Sequence, residues 1–140
     1  MRVETQLSAF LENRAGALGR VAADLAKHGI GIRALTIANL ADHAVVRLVV
    51  TDAHKALHLL GDRGVLVVTS DVLGIELPDE ANALAHVTRR LARGGVNIDY
   101  AYGSGPDNGR AVYYFHVSDL TKARAALAPS TRRRARARRR

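Results

Sequence analysis

Apolar and polar residues alternate from Thr5 to Leu11, the period of a strand with one buried face. After the turn-forming run Asn13–Arg14–Ala15–Gly16 the period changes. Leu18, Val21, Ala22 and Leu25 fall at i, i+3, i+4 and i+7, a single apolar stripe on a helix. Gly29 is placed to end that helix. The pattern Ile32–Ile37 predicts a second strand and Asn39–His43 a connection, and the nearly continuous apolar run Ala44–Val50 fits a strand inside a sheet. Asp52 is positioned to cap a second helix with Ala53, Ala56, Leu57 and Leu60 facing inward. Val65–Val68 closes a βαββαβ unit, and Val72–Leu77 already begins another.

The chain then resembles itself. LENRAGALGRVAADLAKHGIGI, from Leu11, aligns with LPDEANALAHVTRRLARGGVNI, from Leu77, at a constant offset of 66 residues. Leu11, Leu18, Val21, Leu25, Gly29 and Ile32 meet identical residues at Leu77, Leu84, Val87, Leu91, Gly95 and Ile98. Beyond the following loop the offset becomes 67, and Ala44, Val45, Val50 and Asp52 meet Ala111, Val112, Val117 and Asp119. The matched positions are mostly apolar ones and the turn glycine, those that determine a fold. The expected fold class is α+β: two ferredoxin-like βαββαβ units, with antiparallel sheets and helices on one face, paired into one larger sheet. The units span residues 1–70 and 71–128 with no linker, and residues 129–140 form a disordered tail. The expectation extends to eight strands within a chain and to two chains associating through the helix-free face, because apolar sheet edges are liabilities unless paired.

Composition changes this picture little. There is no Cys, which removes disulfides, thiolate metal sites and a Cys nucleophile together. The N-terminal segment lacks the apolar stretch of a signal peptide, and no window approaches a membrane span, so a cytoplasmic protein without membrane contact is expected. The net charge of +8 is a property of the tail: seven arginines lie between Arg132 and Arg140, and setting them aside leaves 14 basic residues against 13 acidic ones. A like-charge run of this kind repels itself and reads as a solvated extension.

At the first turn the sequence becomes recognisable. FLENRAGALGRVAADLAKHGIGI resembles the opening of an ACT domain, where a strand ends in an Asn–Arg–Pro–Gly-like turn and enters a helix ending in Gly–Ile–Asn–Ile. LPDEANALAHVTRRLARGGVNIDYAY is similar in weaker form, and with the junction TSDVLGIEL the similarity covers about residues 3–127. The chain is thus similar to stand-alone tandem ACT proteins, which are cytoplasmic amino-acid-binding proteins. The resemblance implies a regulatory sensor for an amino acid effector, a homodimer, no catalysis and no cofactor, with the ligand at the interface between ACT units. It places the ligand at Asn13, Arg14, Ala15, Gly16, Ala17 and Leu18, and at Asp79, Asn82 and Asn97 of the second unit. Helix N-termini carry unpaired N–H groups suited to an α-carboxylate, Gly16 admits close approach, and Asn13 offers both a donor and an acceptor. The chain departs from the motif in complementary ways. Ala15 and Ala81 replace the Pro, Asn82 the turn Gly, and Asp79 the turn Asn, while the helix-exit Asn survives as Asn97 but is Gly31 in the first unit. Asn82 still tolerates positive φ, and Asp79 repels a carboxylate. The first turn is therefore expected to form the better pocket.

Three other readings compete. The resemblance also allows a regulatory subunit of a separate biosynthetic enzyme, an unidentified partner, as in acetolactate synthase. RNA-recognition modules share the βαββαβ order and stack bases on exposed aromatics. Here Tyr113 and Phe115 share one face of a strand and Tyr100 and Tyr102 one face of its neighbour, beside a basic tail. The near-neutral body gives no phosphate-tracking surface, and the aromatics suit an interface or a ligand wall better. An enzyme needs a nucleophile, base or metal in mutual reach. His54 and His58 stand at helical spacing without a third ligand, so no metal or catalytic residue is assigned.

Overall fold

The computed structural model describes residues 1–129, and of residues 104–107 the backbone only. The expected Arg-rich extension therefore lies, from Ser130 onward, outside the described residues. Strands β1 (Arg2–Glu12), β2 (Ile32–Leu40), β3 (His43–Val50), β4 (Leu66–Pro78), β5 (Ile98–Asp107) and β6 (Arg110–Val117) form one antiparallel sheet ordered β2-β3-β1-β4-β6-β5. Helices α1 (Ala17–Lys27), α2 (Ala53–Asp62), α3 (Ala83–Arg93) and α4 (Leu120–Leu127) are the helices of the described residues.

Each helix enters the core through the positions its period selects. Val21 and Leu25 of α1 are buried, as are their repeat counterparts Val87 and Leu91 of α3. Ala56 of α2 and its counterpart Ala123 of α4 are fully covered. Two cores result, one around Leu7, Leu25, Leu48 and Leu60, the other around Leu73, Leu91 and Phe115. Asp52 and Asp119 cap α2 and α4, accepting from the Lys55 and Lys122 N–H groups at 3.0 and 2.9 Å. Gly29 and Gly95 end α1 and α3 at φ of 71° and 72°, which only a residue without Cβ adopts freely.

The sheet has six strands where the repeat suggested eight. The runs Val65–Val68 and Val72–Leu77 are not two strands. Thr69, Ser70 and Asp71 stay paired with Leu7, Gln6 and Thr5, so β4 runs through without a break. Its first half closes the first unit, and its second half opens the second by pairing with β6. The fourth-strand place of the second unit is filled by Arg2–Glu4 of β1, set against Gly74–Val72. An offset of 66 carries Thr5 to Asp71, and these two residues are also register partners. A pseudo-dyad therefore passes between them, and the two long strands are exchanged across it.

The sheet curls about this axis until its edge strands β2 and β5 approach each other. The helix-free face becomes the inside of a trough, where Val49, Val72 and Tyr114 cluster. Gln6 is fully buried there: its amide donates to Tyr100 at 2.6 Å and to Ser70 at 3.3 Å, and its carbonyl accepts from the Tyr102 hydroxyl at 2.7 Å. Burial pushes the Tyr102 phenol well above its ordinary range. The middle of this face is already covered within one chain, and the exposed apolar residues on it include Leu66 and Val68.

Candidate functional site

The first turn joins the end of β1 to α1. Gly16 occupies the N-cap position at φ 86°, and no side chain caps the helix. The Ala17 N–H is committed to the Arg14 carbonyl at 3.3 Å, and Gly16 accepts from the Arg20 N–H at 3.0 Å. Among the described residues no backbone carbonyl accepts from the N–H groups of Gly16, Leu18 or Gly19. These three are donors without a backbone acceptor at the start of α1. A Cβ built on Gly16 meets nothing within 4 Å, so the backbone is open to approach.

Asn13 is used differently from the expectation. Its amide nitrogen donates to the Asn39 side chain and to the Ala41 carbonyl, both at 3.0 Å. Both amide hydrogens are thus spent on holding the β2–β3 hairpin, whose Ala41 sits at φ 67°. Only the Asn13 carbonyl oxygen remains, and that suits an ammonium and opposes a carboxylate. Arg14 turns back to Glu12 at 3.0 Å.

The second turn repeats the hydrogen-bond scheme without its shape. Ala83 N–H donates to Glu80 and His86 N–H to Asn82, as Ala17 does to Arg14 and Arg20 to Gly16. Yet Asn82 lies at φ −95°, in the right-handed region, so it does not stand in for Gly16 conformationally. Asp79 is tied to the β5–β6 hairpin through its N–H, which donates to Gly109 at 2.8 Å. Asn97 lies at the far end of α3, a helix of 11 residues, and so roughly 16 Å of helix away from the second turn. There its backbone bonds with Ser118, and its side chain donates to Asp99 at 3.1 Å. The two turns themselves lie at opposite ends of the paired β1 and β4. The nine candidate residues accordingly fall in three separate places.

A groove of about 260 Å³ runs beside the first turn, and one of about 330 Å³ beside the second. Their linings correspond through the repeat: Leu11 with Leu77, Ala17 with Ala83, and Val21 with Val87. The charges do not. Arg14 and Arg20 of the first groove face, in the second, Glu80 and His86. The first groove has a further wall from the α2–β4 loop, where Arg63 reaches Asp24 at 3.8 Å. Arg20 is in no ion pair among the described residues. Sequence reasoning missed Arg20 and Arg63 because neither lies in the turn motif. Helical periodicity held the signal for Arg20, since Ala17, Arg20, Val21 and Asp24 share one face of α1. All the lining residues come from the first unit.

The aromatics also divide. Phe115 is buried and packs with Tyr113 in the second core, and Tyr100 lies between Arg47 and His116 on the helix-free face. Neither pair forms an outward stacking platform. His54 and His58 face each other at 4.6 Å on α2, and no third ligand completes a metal cluster among the described residues. No described helix is long and apolar enough to cross a membrane.

Two βαββα units exchanging a pair of long central strands, each opening on a strand–turn–helix, define an ACT-type fold. The model of the ACT domain pair matches residues 1–129, and the chain belongs to that family. It is similar to protein BT0572 from Bacteroides thetaiotaomicron at 39% identity and a TM-score of 0.85, over 89% of this chain and 86% of that one. The regulatory subunits of aspartate kinase from Thermus thermophilus and Thermus flavus share the fold at 17% identity, with TM-scores of 0.68 and 0.63. In both cases 90% of this chain and 91% of the other are covered. No curated protein sequence matches significantly.

Proposed function

We propose that this protein is an amino acid sensor, and that the effector binds in the groove beside the first turn with its α-carboxylate on the N-terminus of α1. The observation that carries this reading is a difference in capping. Helices α2 and α4 are each closed by an Asp, whereas α1 and α3 have no side-chain cap, and at α1 the N-cap Gly16 lies near Arg20, which is in no ion pair among the described residues. A helix N-terminus and a guanidinium together favour a carboxylate. The Asn13 carbonyl oxygen then meets the ammonium. The groove is half-open and lined by the first unit only. The wall supplied by a neighbouring unit, as the family resemblance implies, therefore belongs to a second copy of the chain in a homodimer. The signal passes to a separate enzyme, a reading supported by the fold shared with regulatory subunits.

Thermal-shift screening against the twenty amino acids selects the ligand, and calorimetry then measures its affinity. Arg20→Ala should weaken binding about tenfold, the scale of one hydrogen bond between charged groups. Glu80→Ala in the second groove should leave it unchanged. Equal affinity in Arg20→Ala and the parent would remove the first groove from the reading.

A further inference from the structure

The helix-free face carries a second asymmetry, which the turns do not explain. In the second unit three neighbouring strands place Gly74, Tyr114 and Tyr102 in one row across the sheet. The equivalent row in the first unit is Ser8, Arg47 and Thr36, from β1, β3 and β2. Directly opposed residues of an antiparallel ladder hold their Cβ atoms about 5 Å apart on one side of the sheet. Two hydroxyl side chains thus flank one arginine.

That arginine lacks a counter-charge. Arg47 makes no ion pair among the described residues, and its Nε is buried with no hydrogen-bond partner. Its guanidinium lies 4.0 Å from the centre of the Tyr100 ring. Stacking occupies the flat face of a guanidinium, whereas its N–H groups point outward in the plane and remain to be satisfied. The Tyr100 ring is itself held, by the Gln6 amide at 2.6 Å and by His116 stacked at 4.8 Å. Ser8, Arg47 and Thr36 are all half-buried, and Val68, the register partner of Ser8, is 51% exposed. The trough is open to solvent at this end.

We propose that this row is a binding site for a small oxyanion group, a carboxylate or a phosphate, received by the N–H edge of Arg47 and the hydroxyls of Ser8 and Thr36. A partly buried guanidinium without a partner is unfavourable until an anion completes it. The planar fork of arginine suits two oxygens of one such group. The site lies on the opposite side of the sheet from the first-turn groove and shares no residue with it, so either can fail alone.

The test follows the Arg47 Nε–H resonance of the full chain by NMR, identified by its absence in Arg47→Lys. Sodium phosphate and, separately, sodium acetate are titrated at fixed ionic strength against chloride. A saturable shift with phosphate alone assigns the site to phosphorylated ligands, and one with acetate as well assigns it to carboxylates. No shift with either overturns the proposal. Arg47→Met gives a second reading through Tm: the variant should melt no lower than the parent in chloride and lose the rise that the anion produces. A drop in Tm of equal size with and without the anion would make Arg47 a purely structural residue and overturn the site.

Discussion

The two turns share a hydrogen-bond scheme and differ in nearly everything a ligand would meet. Ala17 and Ala83 bond back three residues, and Arg20 and His86 bond to the N-cap residue, in the same way. Around this common frame the first turn is left-handed at Gly16 and bordered by arginines, while the second is right-handed at Asn82 and bordered by Glu80. A duplicated unit keeps the residues that bury a helix, because both copies need the same core. It is free to change the residues that face outward, because they bury no core. The helix-free face departs from this rule, since Gln6 and its counterpart Val72 are both fully buried and still differ.

The strongest way to break the comparison is through the cores. Leu25→Ala in the first unit and Leu91→Ala in the second remove equivalent, fully buried side chains. Each should destabilise by about 2–5 kcal/mol. Because β1 and β4 each serve both units, the chain should still unfold in one transition. Two separated transitions in calorimetry of either variant would show that the units are independent bodies.

Gln6 comes next. Gln6→Val copies Val72 into the first unit and leaves the Tyr100 and Tyr102 hydroxyls without their partner. It should cost about 1–3 kcal/mol in denaturant unfolding. Adding Tyr100→Phe and Tyr102→Phe should recover most of that loss, since only the longer bond to the half-buried Ser70 hydroxyl then stays broken. The raised Tyr102 pKa gives this cluster a pH signature. A phenol whose folded pKa exceeds the unfolded value of 10.0 adds stability below that pH and loses it as pH rises further. Tyr102→Phe should flatten the alkaline limb of the stability curve.

The sequence was more informative about the fold than about the site, for a physical reason. Burial repeats: Leu7, Leu25, Leu60 and their counterparts carry the period that reveals each element. The merging of Val65–Val68 with Val72–Leu77 was not legible, since Thr69, Ser70 and Asp71 look like a turn. Their pairing depends on how long β1 runs beside them. Asn13 illustrates the limit at the site. Its amide chemistry was readable, but its use to hold Asn39 and Ala41 depends on a hairpin that returns 26 residues later. Arg20 lay outside the motif and entered only through the shared face of α1.

The caps sharpen the comparison at about 1 kcal/mol each. Asp52→Ala and Asp119→Ala should lower Tm by similar amounts, because both accept one backbone N–H at nearly equal distance. Neither should alter amino acid affinity, since neither lines the first groove. A change in affinity with Asp52→Ala would mean that α2 and the α2–β4 loop move with ligand binding.

The smallest expected effect belongs to Asn82→Gly, which restores the glycine of the motif to the second turn. Asn82 makes no capping bond and already has negative φ, so glycine removes no strain there. Replacing an N-cap Asn by Gly changes stability by only a few tenths of a kcal/mol. If charge is what separates the grooves, Asn82→Gly alone creates no second site, because Glu80 still opposes a carboxylate. Glu80→Arg with His86→Arg, on the Asn82→Gly background, should then produce weak binding of the same amino acid. Calorimetric stoichiometry separates the outcomes. One ligand per chain in Asn82→Gly and two in the triple variant would support the charge argument. Two ligands per chain in Asn82→Gly alone would show that backbone access, and not the charge at Glu80, had closed the second groove. Gly16 cannot serve as the mirror test: at φ 86° any side chain strains the turn itself, although nothing lies within 4 Å of its Cβ position.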